Sequence, residues 1–203
     1  MSKETLLGPP LQTLMMIDLK ELIEEAKRLN ATHAAIVDAA VIKYSPEFRG
    51  YCEQNRCGQY GTNFMCPPLV GSFDELRKQA VQYEKCLVFQ TVHLISHSLD
   101  WKGMKNAFSV HDDVLRRIIG HIADEYGIGD LLSLGAGPCT TCSRCAAVDG
   151  ETCRFPDRAV ASLEAYGIDV GELVKSCAIP YYNGKNTVSY VGCVLFTPGS
   201  NAS

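Results

Sequence analysis

The sequence predicts a single α/β or α+β domain, with a sheet of about four strands, flanking helices and two cysteine-rich loops. Its 203 residues are enough for one full hydrophobic core, since 46% of them are apolar and 21% are charged. Segments with a helical repeat of apolar residues alternate with short β-prone segments, which is typical of mixed folds. We expect the domain to cover 16–198, between a flexible arm over 1–15 and a disordered tail over 199–203.

The first third of the chain predicts a helix, a strand and a long loop. Asp18 and Glu21 have the spacing of a capping box, and the helix that follows them ends near Asn30. The β-prone segment 34–42 predicts the first strand, and the polar segment 43–71 predicts a loop. The inner face of the helix is an apolar stripe formed by Leu19, Leu22, Ile23, Ala26 and Leu29.

The middle of the chain begins with a second capped helix. Ser72 and Glu75 have capping-box spacing, and the helix is expected to run to about Tyr83. The apolar segment 86–95 predicts a buried strand, and the polar segment 97–107 predicts a connector that contains the single tryptophan.

A third helix and a short strand follow this connector. Ser109 and Asp112 predict the start of the helix, and Gly127 predicts its end. The segment 131–134 predicts a strand that leads directly into the second cysteine loop. The inner stripe of the helix consists of Val114, Leu115, Ile118, Ile119 and Ile122.

The last part of the chain predicts two helices and the fourth strand. Pro156 suits the first turn of a helix that ends at Gly167. Asp169 and Glu172 predict the cap of a short helix, and the segment 187–196 predicts the closing strand. If both cysteine loops follow strands at one edge of the sheet, their thiols meet along that edge.

Composition and charge exclude several classes of function. Lys plus Arg is 19 and Asp plus Glu is 23, so the net charge of -4 provides no basic field for nucleic acid. No apolar run approaches the roughly 20 residues of a membrane span. Residues 1–4 lack the pattern of a secretory signal, so we expect a cytoplasmic protein. Thiols stay reduced in that compartment, which argues against a disulfide framework for the ten cysteines.

The second cysteine group has the spacing of an iron–sulfur loop. Cys139, Cys142, Cys145 and Cys153 form a C-x2-C-x2-C-x7-C pattern, and a proline follows at Pro156. Three thiolates within seven residues can each reach a different iron of one [4Fe-4S] cage, with Cys153 as the fourth ligand. Structural zinc is the alternative, although it more commonly takes two separated pairs of ligands.

The first cysteine group offers three thiolates. Cys52, Cys57 and Cys66 form a C-x4-C-x8-C pattern, and Pro67-Pro68 follows. Three ligands on a four-iron cube leave one iron open to a substrate, whereas electron-transfer clusters are closed by four ligands. Two alternatives stay open here. The ligand sets can be mixed between the loops, or one cluster can be shared while several cysteines stay unused.

The remaining candidates are weaker. Cys86 and Cys193 are expected to pack in the core, and so is Cys177, which is also a candidate eighth ligand. The histidines show no paired metal spacing, and no dinucleotide or phosphate-binding motif is present. Near the loops lie five arginines and five tyrosines that could contact an anionic cluster or a substrate, or simply be solvated or packed: Arg49, Arg56, Arg144, Arg154, Arg158, Tyr44, Tyr51, Tyr60, Tyr181 and Tyr182.

Two motifs together resemble a known family. The pattern C-x4-C-G-x-Y-G, followed by C-P-P, starts at Cys52, and the pattern G-x-G-P-C-x2-C-x2-C, followed by C-x2-P, starts at Gly135. This pair resembles predicted metal-binding proteins of unknown function, found mainly in anaerobic bacteria and archaea, over 51–196. The resemblance implies a soluble iron–sulfur protein of oxygen-poor metabolism. The ligands that it implies are Cys52, Cys57, Cys66, Cys139, Cys142, Cys145 and Cys153.

These observations lead to three functional hypotheses. The first is a protein with one or two [4Fe-4S] clusters that performs redox or sulfur chemistry on a small molecule, as an oxidoreductase or a sulfur-transfer enzyme. The second is a ferredoxin-like electron carrier that serves a partner enzyme. The third is a binding protein in which zinc is a structural staple, although a chain of 203 residues does not need one to fold.

Overall fold

A computed structural model describes residues 18–199 of the chain. The predicted arm over 1–15 lies outside the described residues, as does the predicted tail beyond residue 199. Within 18–199, no helix is both long enough and apolar enough to cross a membrane.

The described residues form one mixed sheet of five strands, around which the domain is organised. Its strand order is β1-β2-β5-β3-β4, and neighbours are antiparallel except for β3 and β4, which are parallel. The α/β or α+β class is therefore confirmed, but the sheet has one more strand than predicted, because the two-residue β4 is too short to show an alternating pattern. The strands are β1 (His33–Asp38), β2 (Lys85–Leu94), β3 (Leu131–Gly135), β4 (Ala161–Ser162) and β5 (Thr187–Phe196).

Within residues 18–199, five helices flank the sheet, and three of them begin at predicted caps. The Asp18 carboxylate accepts hydrogen bonds from the N–H groups of Lys20 and Glu21, and Ser72 and Glu75 form a complete capping box. Asp169 caps the last helix in the same way. The helices are α1 (Leu19–Arg28), α2 (Pro46–Glu53), α3 (Phe73–Ala80), α4 (Trp101–Tyr126) and α5 (Val170–Ser176).

Helix α4 starts earlier than predicted. The carboxylate of Asp100 accepts a hydrogen bond from the N–H of Gly103 at 2.8 Å, so the helix begins at Trp101 and the predicted connector over 97–107 is wrong. Ser109 lies within the helix, where its hydroxyl donates to the Lys105 carbonyl. The buried face already includes Ala107, and packing of this extra turn favours the earlier cap.

Two other predicted segments differ from the structure. The predicted helix from Pro156 to Gly167 is wrong, since only a 3-10 turn forms over Pro156–Arg158. The residues after this turn pair with β3 instead, and this pairing supplies backbone hydrogen bonds that the helix would have made internally. The predicted loop over 43–71 contains α2, whose N-cap is Ser45.

The two faces of the sheet bury different sets of residues. Helices α1 and α4 cover the face that carries Leu87, Phe89, Val194 and Phe196. Residues of α3, α5 and the connecting segments cover the opposite face, which includes Cys86, Val88, Cys193 and Leu195. Cys86 and Cys193 are fully buried, as core packing predicts.

A glycine in β5 makes room for the ring of Phe89, against which α4 packs. The ring of His111 on α4 stacks on Phe89, with 5.2 Å between ring centroids, and its Nδ1 lies 2.9 Å from the Thr91 hydroxyl. Burial lowers the pKa of His111 to about 4, so the ring is neutral at pH 7. A Cβ atom on Gly192 would lie 2.5 Å from Cζ of Phe89. Glycine is therefore the residue that this contact requires.

Replacing Gly192→Ala is expected to lower the free energy of unfolding by about 1–3 kcal/mol, because the added methyl group displaces Phe89. Chemical denaturation measures the change. Gly120→Ala on α4 is the matched control, since nothing lies within 4 Å of the position that its new methyl group would take. The control should leave stability unchanged or raise it by about 0.5–1 kcal/mol. Equal effects of the two substitutions would contradict the role assigned to Gly192.

Candidate metal centre

The four cysteines of the second loop converge on one cavity. This loop connects β3 to β4, and Cys139, Cys142, Cys145 and Cys153 all line a small cavity of ≈ 20 Å³. The other lining residues come from both cysteine loops: Asn63, Phe64, Met65, Thr141, Phe155 and Ala159. The sequence spacing therefore translates into four thiols around one space.

An ion pair on α4 fixes the position of this loop. Arg116 donates from Nε to Asp112 at 2.9 Å, and its two other nitrogens donate to the Thr141 hydroxyl and the Arg158 carbonyl. The Thr140 hydroxyl also donates to Asp112, at 2.9 Å. Sequence reasoning missed Asp112 and Arg116 as supports of the loop. Their i, i+4 spacing was visible, but it is equally common on solvated helix faces.

The three cysteines of the first loop form a second group of neighbours. Cys52 lies on α2, and Cys57 and Cys66 follow in the loop after it. Burial first, and then the thiols of Cys57, Cys52, Cys139 and Cys145, raise the pKa of Cys66 to about 12. Cys66 therefore lies within electrostatic range of both cysteine groups.

A buried asparagine joins the two loops. Asn63 is 3% exposed, and its Nδ2 donates a hydrogen bond to the backbone carbonyl of Cys139 at 3.1 Å. Its Oδ1 accepts from the N–H of Met65 at 3.0 Å. Both ends of the amide are thus used, one on each loop. The sequence contained no signal for this role beyond the position of Asn63 between Cys57 and Cys66.

Arg49 brings a positive charge to the first cysteine group. Its Nη2 donates to the Gly71 carbonyl at 2.9 Å, whereas its buried Nη1 has no hydrogen-bond partner among the described residues. The pKa of Cys52 is raised by burial first and by Glu164 next, and Arg49 opposes these effects. A buried N–H without an acceptor beside a thiol is a donor that an anionic group would satisfy.

Three of the other four arginines near the loops have partners. Arg144 pairs with Asp149 at 2.7 Å, and Arg154 pairs with Glu151 at 2.8 Å. The guanidinium of Arg158 lies over the Phe155 ring, 5.8 Å from its centroid. These three arginines brace the second loop from its exposed side.

The structure separates Cys177 from the loop cysteines. Cys177 follows α5, and burial raises the pKa of its thiol, with a further contribution from Cys193. Its thiol also acts on Cys86, in the core that α5 helps to cover. The candidate eighth ligand therefore belongs with the two core cysteines.

No single-ion site is preformed in the described part of the chain. Within 18–199, no three His, Cys, Asp or Glu side chains are arranged to hold one metal ion. The four thiols of the second loop line the walls of one cavity. The three thiols of the first loop lie in a neighbouring group. All seven carry free thiols, and Cys57 is the exposed one.

Comparison with known proteins assigns the chain to a family. The model of a family described as predicted metal-binding protein (DUF2284) matches residues 35–196, which include both cysteine groups. No curated protein and no solved structure gives a match. The chain therefore belongs to this family of predicted metal-binding proteins, as its two cysteine motifs predict.

Proposed function

We propose that the protein holds two [4Fe-4S] clusters and uses them for redox or sulfur chemistry on a small molecule. The proposed ligands of one cluster are Cys139, Cys142, Cys145 and Cys153, and those of the other are Cys52, Cys57 and Cys66. The observation that carries the proposal is that all four thiols of the second loop line one cavity. The alternative in which the two loops exchange ligands draws on Cys66, which lies within electrostatic range of Cys139 and Cys145 but does not line this cavity.

The donor set and its surroundings suit iron–sulfur clusters. A zinc ion draws its thiolates to about 2.3 Å from a single point, whereas a cube takes each thiolate at a separate iron. Four thiols that line one cavity without an arrangement for a single ion match the second requirement better than the first. The cavity of ≈ 20 Å³ has room for about one water molecule, so binding of a cube requires the thiol-bearing walls to move apart. Such clusters supply one-electron transfer when bound, and an iron without a protein ligand also supplies an open coordination position.

The first cysteine group has the features of a substrate-facing site. It offers three thiols rather than four, and Cys57 is exposed while the other six are partly buried. Arg49 supplies a buried N–H donor beside Cys52, which would offset the negative charge of a bound cluster. A small molecule can thus reach this group from solvent without moving the second loop.

The contact between the loops supports electron passage from one group to the other. Cys66 lies within electrostatic range of Cys139 and Cys145, and Asn63 connects the two backbones directly. In this reading the second loop relays electrons, and the first loop positions the molecule that receives them. An electron carrier with two closed clusters is the competing reading, and the exposure of Cys57 is compatible with delivery to a partner protein.

Metal analysis of anaerobically purified protein tests the proposal. We expect about eight irons and a matching amount of sulfide per chain. Cys142→Ser and Cys57→Ser should each lose about half of this content, because each removes a ligand from one cluster only. Cys177→Ser is the matched control and should keep the full content. Stoichiometric zinc without sulfide would refute the iron–sulfur proposal and favour a zinc-stapled binding protein.

Added ligands test for an open iron. In protein that contains both clusters, cyanide or a small thiol should change the absorption and electron paramagnetic resonance spectra, because three thiolates leave one iron without a protein ligand. Cys57→Ser should abolish the response if it arises at the first loop. An unchanged spectrum in fully loaded wild-type protein would favour the electron carrier.

Replacing Asn63→Leu tests the connection between the loops. The substitution removes the partner of the Cys139 carbonyl and of the Met65 N–H, so we expect a loss of about 1–3 kcal/mol in stability. Iron content should fall in the same variant, because the cavity wall is displaced. Asn106→Leu makes the same chemical change at an exposed position of α4 and should alter neither quantity. Normal iron content in Asn63→Leu would show that the loops hold their ligands independently.

A further inference from the structure

A second cavity lies at the start of β5. It has a volume of ≈ 330 Å³ and is bounded by the start of β5, by the segment between α5 and β5, and by Glu164 and Ala136. Volumes from about 300 Å³ upward are typical of small-molecule sites. The size of the cavity therefore suits a small organic ligand.

The lining of this cavity carries negative charge only. Glu164 is its one ionisable carboxylate, and the lining contains no lysine, arginine or histidine. Tyr181 and Tyr182 form the outer wall, and they are 71% and 74% exposed. Neighbouring large aromatic side chains left open to solvent are unusual unless they contact something else.

A buried glutamine fixes the chain on either side of the two tyrosines. Gln90 of β2 is 1% exposed, and its Nε2 donates to the Pro180 carbonyl at 2.9 Å. Its Oε1 accepts from Nδ2 of Asn183 at 3.1 Å, and the same nitrogen lies 2.9 Å from the Ser189 hydroxyl. Both polar ends of the buried Gln90 amide thus form hydrogen bonds with the residues that flank Tyr181 and Tyr182. The segment that carries the aromatic wall is therefore anchored to the sheet.

Glu164 connects the cavity to the first cysteine group. Its carboxylate is half-buried and has no hydrogen-bond or ion-pair partner among residues 18–199. The same carboxylate acts electrostatically on the Cys52 thiol. A partly buried carboxylate without a counter-ion, facing a cavity, is a natural partner for a cationic ligand.

We infer that this cavity binds a small organic ammonium, with Glu164 as its counter-ion and Tyr181 and Tyr182 as its aromatic wall. Aromatic faces attract alkylammonium groups through the ring quadrupole, and a nearby carboxylate adds direct attraction. An anionic molecule would meet only repulsion from Glu164. Binding stands on the cavity alone, whereas the use of the bound molecule as a substrate beside Cys52 rests on the proposed function.

Three probes of similar shape and different charge test the inference: tetramethylammonium, tert-butanol and trimethylacetate. Each is titrated into the full-length, metal-loaded protein under anaerobic conditions, and binding is followed by calorimetry and by saturation-transfer NMR. We expect tetramethylammonium to bind most tightly and trimethylacetate not to bind. Tyrosine ring signals should shift with tetramethylammonium alone.

Variants locate the binding. Glu164→Gln should weaken tetramethylammonium binding at least about fivefold, and Tyr181→Leu with Tyr182→Leu should weaken it similarly. The matched controls are Glu125→Gln, an exposed carboxylate on α4, and Trp101→Leu, an aromatic side chain that is 73% exposed. Both controls should bind as the wild type does. Equal affinity for the three probes, or unchanged binding in Glu164→Gln, would overturn the inference.

Iron and sulfide are measured on the same samples, so the two proposals fail separately. If the protein contains about eight irons but does not bind tetramethylammonium, the cluster proposal stands and the ammonium site is refuted. If the protein contains no clusters but still binds tetramethylammonium through Glu164, the ammonium site stands and the cluster proposal is refuted.

Discussion

The hydrogen bond between the Asn63 side chain and the Cys139 carbonyl is the constraint on which the candidate centre depends. It joins residues 76 positions apart in the chain, and the Asn63 side chain is buried, so water cannot readily replace it. Because Asn63 also accepts from Met65, the wall that the first loop contributes to the thiol cavity is fixed relative to the second loop. The two cysteine groups therefore form one structural unit, whose loops are held together by hydrogen bonds within the protein itself.

Helix α4 and the sheet support this unit of two cysteine loops. Helix α4 packs on the sheet and reaches the second loop through Asp112 and Arg116, whose hydrogen bonds engage the loop at both of its ends. Gly192 leaves room for Phe89, and His111 of α4 stacks on that ring next to Asp112. The stability of the core and the shape of the thiol cavity are thus coupled through one helix.

Charge is distributed unevenly around the first cysteine group. Arg49 has a buried donor that no described residue satisfies, and Glu164 has a carboxylate without a counter-ion among residues 18–199. Both groups act electrostatically on the Cys52 thiol, with opposite signs. Binding of a metal to Cys66 requires loss of its thiol proton, which burial and the neighbouring thiols oppose. An anionic group near Arg49 and a cationic molecule near Glu164 would satisfy both unpaired charges.

The sequence by itself determined the mixed fold class, the caps at Asp18, Ser72 and Asp169 and the family, because cap spacing and cysteine spacing are local properties. The secondary structure predicted from the sequence is wrong where two capping residues compete, and where a segment is stabilised by pairing with a strand distant in the chain. Asp100 prevailed over Ser109 as the cap of α4, and the predicted helix after Pro156 gave way to β4. Only the tertiary structure decided that the two cysteine loops meet, and that Asn63, Arg116 and Glu164 surround them. These contacts join residues far apart in the chain, and their geometry comes from the packing of α4 and the sheet.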